Sequence, residues 1–306
     1  MIRRYRHEKN PFSTGFFSME NYINNIDMFD NLAKNLSNEE LYDLFIGINK
    51  SQNNLIEYIY YDYKNYIYEA LTDTVLEDQA NDLSNEITDK FMKRDMDFVY
   101  YSLLLKHNRV NYEIDNSDFL YDDKGYVINF LHYSIFHLVP YLIATNTEKE
   151  VIMYANKDGI NYVYRVMKWM NYDQTKNITM LPVDYKSAIT SMKKVKNGAL
   201  LLILPEIDRG GNKANKEVHG EFLGQKINFP IGAQKIAEVT KSEIKLSYLD
   251  IDKNSTMKLK VESIENVLNT KMDTIKLWSA IERVVTKKPS QWTIWEMWRD
   301  IKIDEY

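Results

Sequence analysis

Two histidines, His132 and His137, follow a mostly apolar run at residues 126–131, and this is where proton-transfer chemistry is best sought in the chain. An imidazole with a reference pKa near 6.5 is suited to act as a general base at neutral pH. Two histidines this close also occur as a satisfied structural pair, but a position just after a buried strand favours function. Ser134 reads as the N-cap of a following helix, which would put His137 in its first turn, facing back toward His132. A second polar group follows the apolar run 199–204, where Pro205 leads into Glu206, Asp208, Arg209, Gly210 and Gly211. A carboxylate there can orient an imidazole or a nucleophile, and the guanidinium can grip a phosphate or carboxylate with two bonds. Loops after strands are also polar simply because they lie in water, so this signal alone is weak.

The elements that must hold these residues divide the chain into two parts. Residues 19–107 carry helical signals only, with one glycine at Gly47, no proline, and apolar residues spaced by three and four. Ser37 and Glu40 form a capping box. Leu83, Ile87, Phe91, Met92, Met96, Val99 and Tyr100 mark an apolar stripe, which serves as core packing or as a lid over an acyl chain, with packing favoured. After Gly125 short apolar runs at 126–131, 151–154, 178–181, 199–204, 244–250 and 257–261 alternate with helical patterns at 134–144, 159–171, 184–194 and 231–241. That alternation predicts an α/β fold, a mostly parallel sheet flanked by helices, with an N-terminal helical subdomain over 1–110 and the α/β domain over 111–306. Ligands of such sheets bind beyond the carboxyl ends of the strands, where both polar groups fall.

Composition excludes several classes. Net charge is −5, and the one basic cluster is Arg3, Arg4, Arg6 and His7, so nucleic acid is not an expected partner. There is no cysteine, which removes disulfides, thiol nucleophiles and thiolate metal sites. The first thirty residues show no secretory signal, and 127–145, with two histidines and a proline, makes a poor membrane span. A cytoplasmic location is expected. Neither phosphate-binding glycine motif occurs. Trp292, Trp295 and Trp298, at a spacing of three, read as core packing or as an aromatic belt dipping into a membrane surface, with packing again favoured.

The order of these features resembles the lysophospholipid acyltransferase superfamily, in particular its bacterial lauroyl/myristoyl branch of lipid A biosynthesis. In that family a strand ends in a histidine with an acidic residue five positions later, and His132 stands where the histidine does. A later acidic motif, a Phe-Gly segment and a small-residue helix are similar to the segment 204–209, to Glu221-Phe222-Leu223-Gly224, and to the segment 231–237. The closing motif resembles Pro289-Ser290-Gln291-Trp292 and the aromatic, basic stretch that ends at Arg299. The resemblance implies transfer of a fatty acyl group from acyl carrier protein or acyl-CoA to a small-molecule, peptide or lipid acceptor, without metal or cofactor, and with peripheral contact at the inner membrane face. It implies His132 as general base, His137 and Glu206 as its catalytic companions, and Asp208, Arg209, Lys157 and Gly210 as substrate-binding residues. Two departures stand out: His137 replaces the acidic partner, and Lys157 follows the strand where the family has an arginine. Three explanations follow: an amine or otherwise unusual acceptor, a dyad restored by Glu206 or Asp208, or an inactive acyl-binding or carrier-binding module.

Overall fold

The computed structural model describes residues 21, 24–51, 56–154, 166, 170, 177–206, 217–252 and 256–298. Among the described residues four α-helices come first, α1 (Ile26–Asn35), α2 (Asn38–Ser51), α3 (Ile56–Thr72) and α4 (Ala80–Lys106). The capping box forms as the sequence predicts: Ser37 N–H donates to Glu40 Oε2 at 2.9 Å, and Glu40 N–H donates to Ser37 Oγ at 3.2 Å.

The α/β part follows in the order β1 (Tyr112–Ile114), β2 (Tyr126–Phe130), α5 (Val139–Ala144), β3 (Val151–Tyr154), β4 (Ile178–Leu181), α6 (Tyr185–Lys196) and β5 (Leu200–Ile203). It continues with β6 (Glu217–Phe222), β7 (Gln225–Pro230), α7 (Gly232–Thr240), β8 (Glu243–Ile251), β9 (Met257–Ile264) and α8 (Thr270–Lys287). The main sheet has the order β1-β9-β8-β2-β5-β3-β4, and every neighbouring pair is parallel except the β8–β9 hairpin. This is the α/β architecture expected, a mostly parallel sheet with helices against it.

Alternation along β2 shows how the sheet is covered. Tyr126, Ile128 and Phe130 enter one apolar cluster with α1, α2 and part of α4, while Val127 and Leu131 enter the other with α7, α8 and the closing tryptophans. The α4 stripe is divided between the clusters, Leu83 and Ile87 in one and Met96 and Val99 in the other, so it is core rather than lid. Gly125 leads into β2 where a Cβ would stand 1.9 Å from the Val195 carbonyl oxygen, so only glycine admits this approach.

The local structure corrects one reading and adds detail to two other segments. Ser134 does not cap a helix: its φ is +55°, its N–H donates to the Gln291 carbonyl at 2.7 Å, and a 3-10 turn (Phe136–Leu138) precedes α5. The segment 217–230 forms a hairpin, turning at Leu223 and Gly224, both with positive φ. Trp292, Trp295 and Trp298 lie in and beside the 3-10 turns Pro289–Gln291 and Thr293–Met297, each fully buried, as the favoured reading of core packing expects. The helical pattern at 159–171 lies almost wholly outside the described residues. Among the described residues no helix is long and apolar enough to cross a membrane.

Candidate functional site

The parallel pairing of β2 with β5 builds the site. Asn129 and Ile203 are partners in that register, so the chain positions three residues beyond each, His132 and Glu206, emerge side by side at the carboxyl edge of the sheet. The Glu206 carboxylate faces His132 twice: Oε2 lies 3.0 Å from the imidazole Nδ1, and Oε1 accepts the His132 backbone N–H at 2.9 Å. Trp292 Nε1–H donates to the same Oε1 at 3.2 Å. Three donors therefore surround a carboxylate that is only 1% exposed, which compensates much of the cost of burying its charge.

The closing segment clamps the histidine from the other side. Tyr133 and Trp292 form an antiparallel bridge. Thr293 donates its N–H at 2.8 Å and its hydroxyl at 3.1 Å to the His132 carbonyl. With the backbone held there and the ring edge-on to Phe136, centroids 4.6 Å apart, the imidazole has little freedom to rotate. A carboxylate on Nδ1 keeps that nitrogen protonated and leaves Nε2 as the basic lone pair. Among the described residues nothing hydrogen-bonds Nε2. The arrangement is an imidazole–carboxylate dyad, able to take a proton from a hydroxyl or amine and to hold the resulting positive charge.

The other residues singled out in the sequence fall differently. His137 makes no hydrogen bond with His132: its ring stacks on Phe136 at 3.9 Å and packs near Phe98, and its Nδ1 is buried without a hydrogen-bond partner. Burial, followed by the charges of Arg94 and His132, lowers its pKa to about 3, so it stays neutral across the physiological range. The orienting contact on the His132 ring comes from Glu206. Lys157, Asp208, Arg209 and Gly210 lie outside the described residues. Sequence reasoning missed Trp292 and Thr293 as site residues. The signal was the closing motif itself, which contains Trp292, whose N–H seeks a partner once buried.

His137 has a measurable consequence for stability. The unfolded imidazole takes up its proton near pH 6.5 and the folded one near 3, so between these values the unfolded state binds more protons. Stability therefore falls as pH drops through that window and levels off below it. His137→Phe should flatten the acid-side loss between pH 7 and 4, read from denaturant midpoints at several pH values. An unchanged slope would show that the ring titrates normally.

A polar groove of about 400 Å³, lined by Asp122, Asp123, Lys149, Glu150, Lys194 and Asn197 among others, lies at the amino ends of β2, β3 and β5, the edge opposite His132. Its lysines are already paired, Lys149 with Asp122 and Lys194 with Glu150, each at 2.6 Å.

No family model and no curated protein matches the sequence. Among solved structures the chain is similar to the crystal structure of the 1-acyl-sn-glycerophosphate (LPA) acyltransferase PlsC from Thermotoga maritima, with 13% identity, a TM-score of 0.35, and coverage of 76% of this chain and 98% of that one.

Proposed function

We propose that this chain is an acyltransferase that moves a fatty acyl group from a thioester, on acyl carrier protein or coenzyme A, to an amine or hydroxyl acceptor. The observation that carries the reading is the 3.0 Å contact between His132 Nδ1 and Glu206 Oε2 at the ends of two neighbouring parallel strands. The order of sequence motifs that resembles the lysophospholipid acyltransferases supports it. Of the three explanations for the missing acidic residue at position 137, this contact favours a dyad restored by Glu206.

In this mechanism His132 Nε2 takes the proton of the acceptor as its oxygen or nitrogen attacks the thioester carbonyl. Glu206 stabilises the imidazolium through Nδ1–H. The tetrahedral oxyanion is held by backbone amides with Arg209 or Lys157, whose place in the reaction is carried over from the motif resemblance. As the intermediate collapses, the carbon–sulfur bond breaks and the imidazolium returns its proton to the departing thiolate. Acyl group, thiol and acceptor balance without a metal or a covalent enzyme intermediate.

The test is to incubate the purified protein with acyl-CoA and with acyl carrier protein, each with and without a panel of amines, alcohols and lysolipids, and to weigh the products. Acylated acceptor, or thioester hydrolysis above the buffer rate, is the expected result. Binding of the thioester without consumption would replace this reading with that of a carrier-binding module.

A further inference from the structure

Helix α6 (Tyr185–Lys196) is built inside out. Its inward face carries small residues: Ser187, Ser191 and Val195 are buried and Ala188 is half-buried. Ser191 is satisfied there, its Oγ donating to the Ser187 carbonyl and accepting the Tyr154 hydroxyl of β3, both at 2.8 Å. Large apolar side chains stand on the opposite face. Tyr185 is 80% exposed and Ile189, one turn on, is 37% exposed, while Val183 just before the helix is 50% exposed. A helix that covers a sheet normally shows the reverse, with its large apolar residues turned to the core.

The same outer face is cationic. α6 holds four lysines and no acidic residue, in a chain whose net charge is −5. Lys194 turns to Glu150 at 2.6 Å, whereas Lys186, Lys193 and Lys196 are exposed and among the described residues form no ion pair. At 3.6 residues per turn, Tyr185, Lys196, Ile189, Lys193 and Lys186 follow one another around one side of the helix within an arc of about 100°. Asp184, just before the helix, is held as its N-cap, where it accepts the Ser187 N–H at 2.7 Å. Exposed apolar residues interleaved with lysines on one helix face are the pattern of a segment that lies on an anionic lipid surface.

We propose that α6 is a membrane-contact helix, which seats Val183, Tyr185 and Ile189 in the headgroup region of an anionic bilayer while Lys186, Lys193 and Lys196 meet the lipid phosphates. The choice of a lipid surface follows from the shape and the charge. The apolar residues form a ridge on a convex helix, which needs no complementary pocket, and lysine stems can run along that ridge and lift their charges to the headgroups. Helix α6 also starts at the right place. β4 ends at Leu181 on the carboxyl edge of the sheet, the edge that carries His132, and lies three strands from β2, about 14 Å at the usual strand spacing. A bilayer seated on Val183 and Tyr185 therefore lies beside the edge where the dyad stands. The inference does not rest on acyl transfer, since lipid contact is a property of this face whatever the reaction.

The test is flotation of the full chain with vesicles of phosphatidylcholine alone and of phosphatidylcholine mixed with phosphatidylglycerol. The chain should bind the mixed vesicles, less as salt is raised, and stay near background on phosphatidylcholine alone. The triple variant Lys186→Gln, Lys193→Gln, Lys196→Gln should bind about a hundredfold more weakly, at about fivefold for each lost charge. Tyr185→Ser with Ile189→Ser should cost at least about tenfold. All five positions are exposed, so both variants should melt close to the unmodified chain, which a circular dichroism melt checks. Should either not fold, Lys186→Gln alone carries the comparison, with about a fivefold loss expected. Absence of binding to the mixed vesicles by the unmodified chain, or equal binding by a folded variant, overturns the proposal. Lysine-dependent binding of acyl carrier protein in place of vesicles also overturns it and gives this face to a protein partner, and a dimer that dissociates in Tyr185→Ser gives it to a second copy. Vesicle binding by a protein that transfers no acyl group would sink the acyltransferase reading and leave this one in place.

Discussion

Replacing His132 with alanine should lower acyl transfer by about a thousandfold or more while the protein still folds. The loss is large because no second imidazole can substitute. His137 stacks on the Phe136 ring that also meets His132, but its pKa of about 3 makes it a far weaker base than a histidine near 6.5, and its Nδ1 is sealed inside. The fold should survive because Glu206 keeps two of its three donors. The backbone N–H at position 132 and Trp292 Nε1–H both reach Oε1, and neither depends on the imidazole. Thr293 likewise holds the carbonyl of residue 132, which alanine retains. The expected cost is that of a small polar-lined cavity, about 1–3 kcal/mol, so a folded protein with a lowered melting temperature should result. Product mass per unit time, beside a circular dichroism melt, measures both effects. Acyl transfer at more than a tenth of the original rate in a folded variant would remove His132 from the mechanism.

Much of this site was legible from residue order, and its partnership only as one of several possibilities. The runs at 126–131 and 199–204 identify two strands, and the rule that ligands sit beyond the carboxyl ends of parallel strands directs attention to His132 and Glu206. Which carboxylate meets which histidine depends on the order of strands in the sheet. β2 and β5 are 74 residues apart at the site, and the crossovers that make them neighbours leave no local mark in the sequence. A glutamate five residues along the chain is easy to seek, whereas one on the next strand is visible only once the register of Asn129 with Ile203 is known. The tryptophans were legible as core but not in their backbone. A spacing of three in the segment 292–298 looks helical and amphipathic, but a chain of 3-10 turns packs all three rings into one cluster with Phe222. The hairpin at 217–230 was hidden because Leu223 adopts a positive φ that leucine seldom takes, so its turn carries only half of the usual glycine-rich signature.

Glu206→Gln should be nearly as damaging as loss of the histidine, about a thousandfold to ten-thousandfold in rate, although it changes one atom and almost no volume. The orientation of the new amide is forced. At the Oε1 position two donors converge, the His132 backbone N–H and Trp292 Nε1–H, so the amide oxygen must sit there. The NH2 group then occupies the Oε2 position, facing Nδ1 at about the same 3.0 Å. An amide N–H can meet that nitrogen only if Nδ1 is the acceptor, which moves the ring proton to Nε2. The nitrogen that should receive the acceptor's proton would already carry one, and the negative charge that stabilises the imidazolium would be gone. Nitrogen-15 NMR of the His132 ring tests the cause directly: Nδ1–H in the unmodified chain and Nε2–H in Glu206→Gln. Trp292→Phe makes the graded companion, since it removes one donor to Oε1 but leaves the carboxylate and its bond to Nδ1, and it should cost about tenfold or less. If Glu206→Gln switched the tautomer yet kept more than a tenth of the activity, the proton would be leaving the acceptor by some route other than His132.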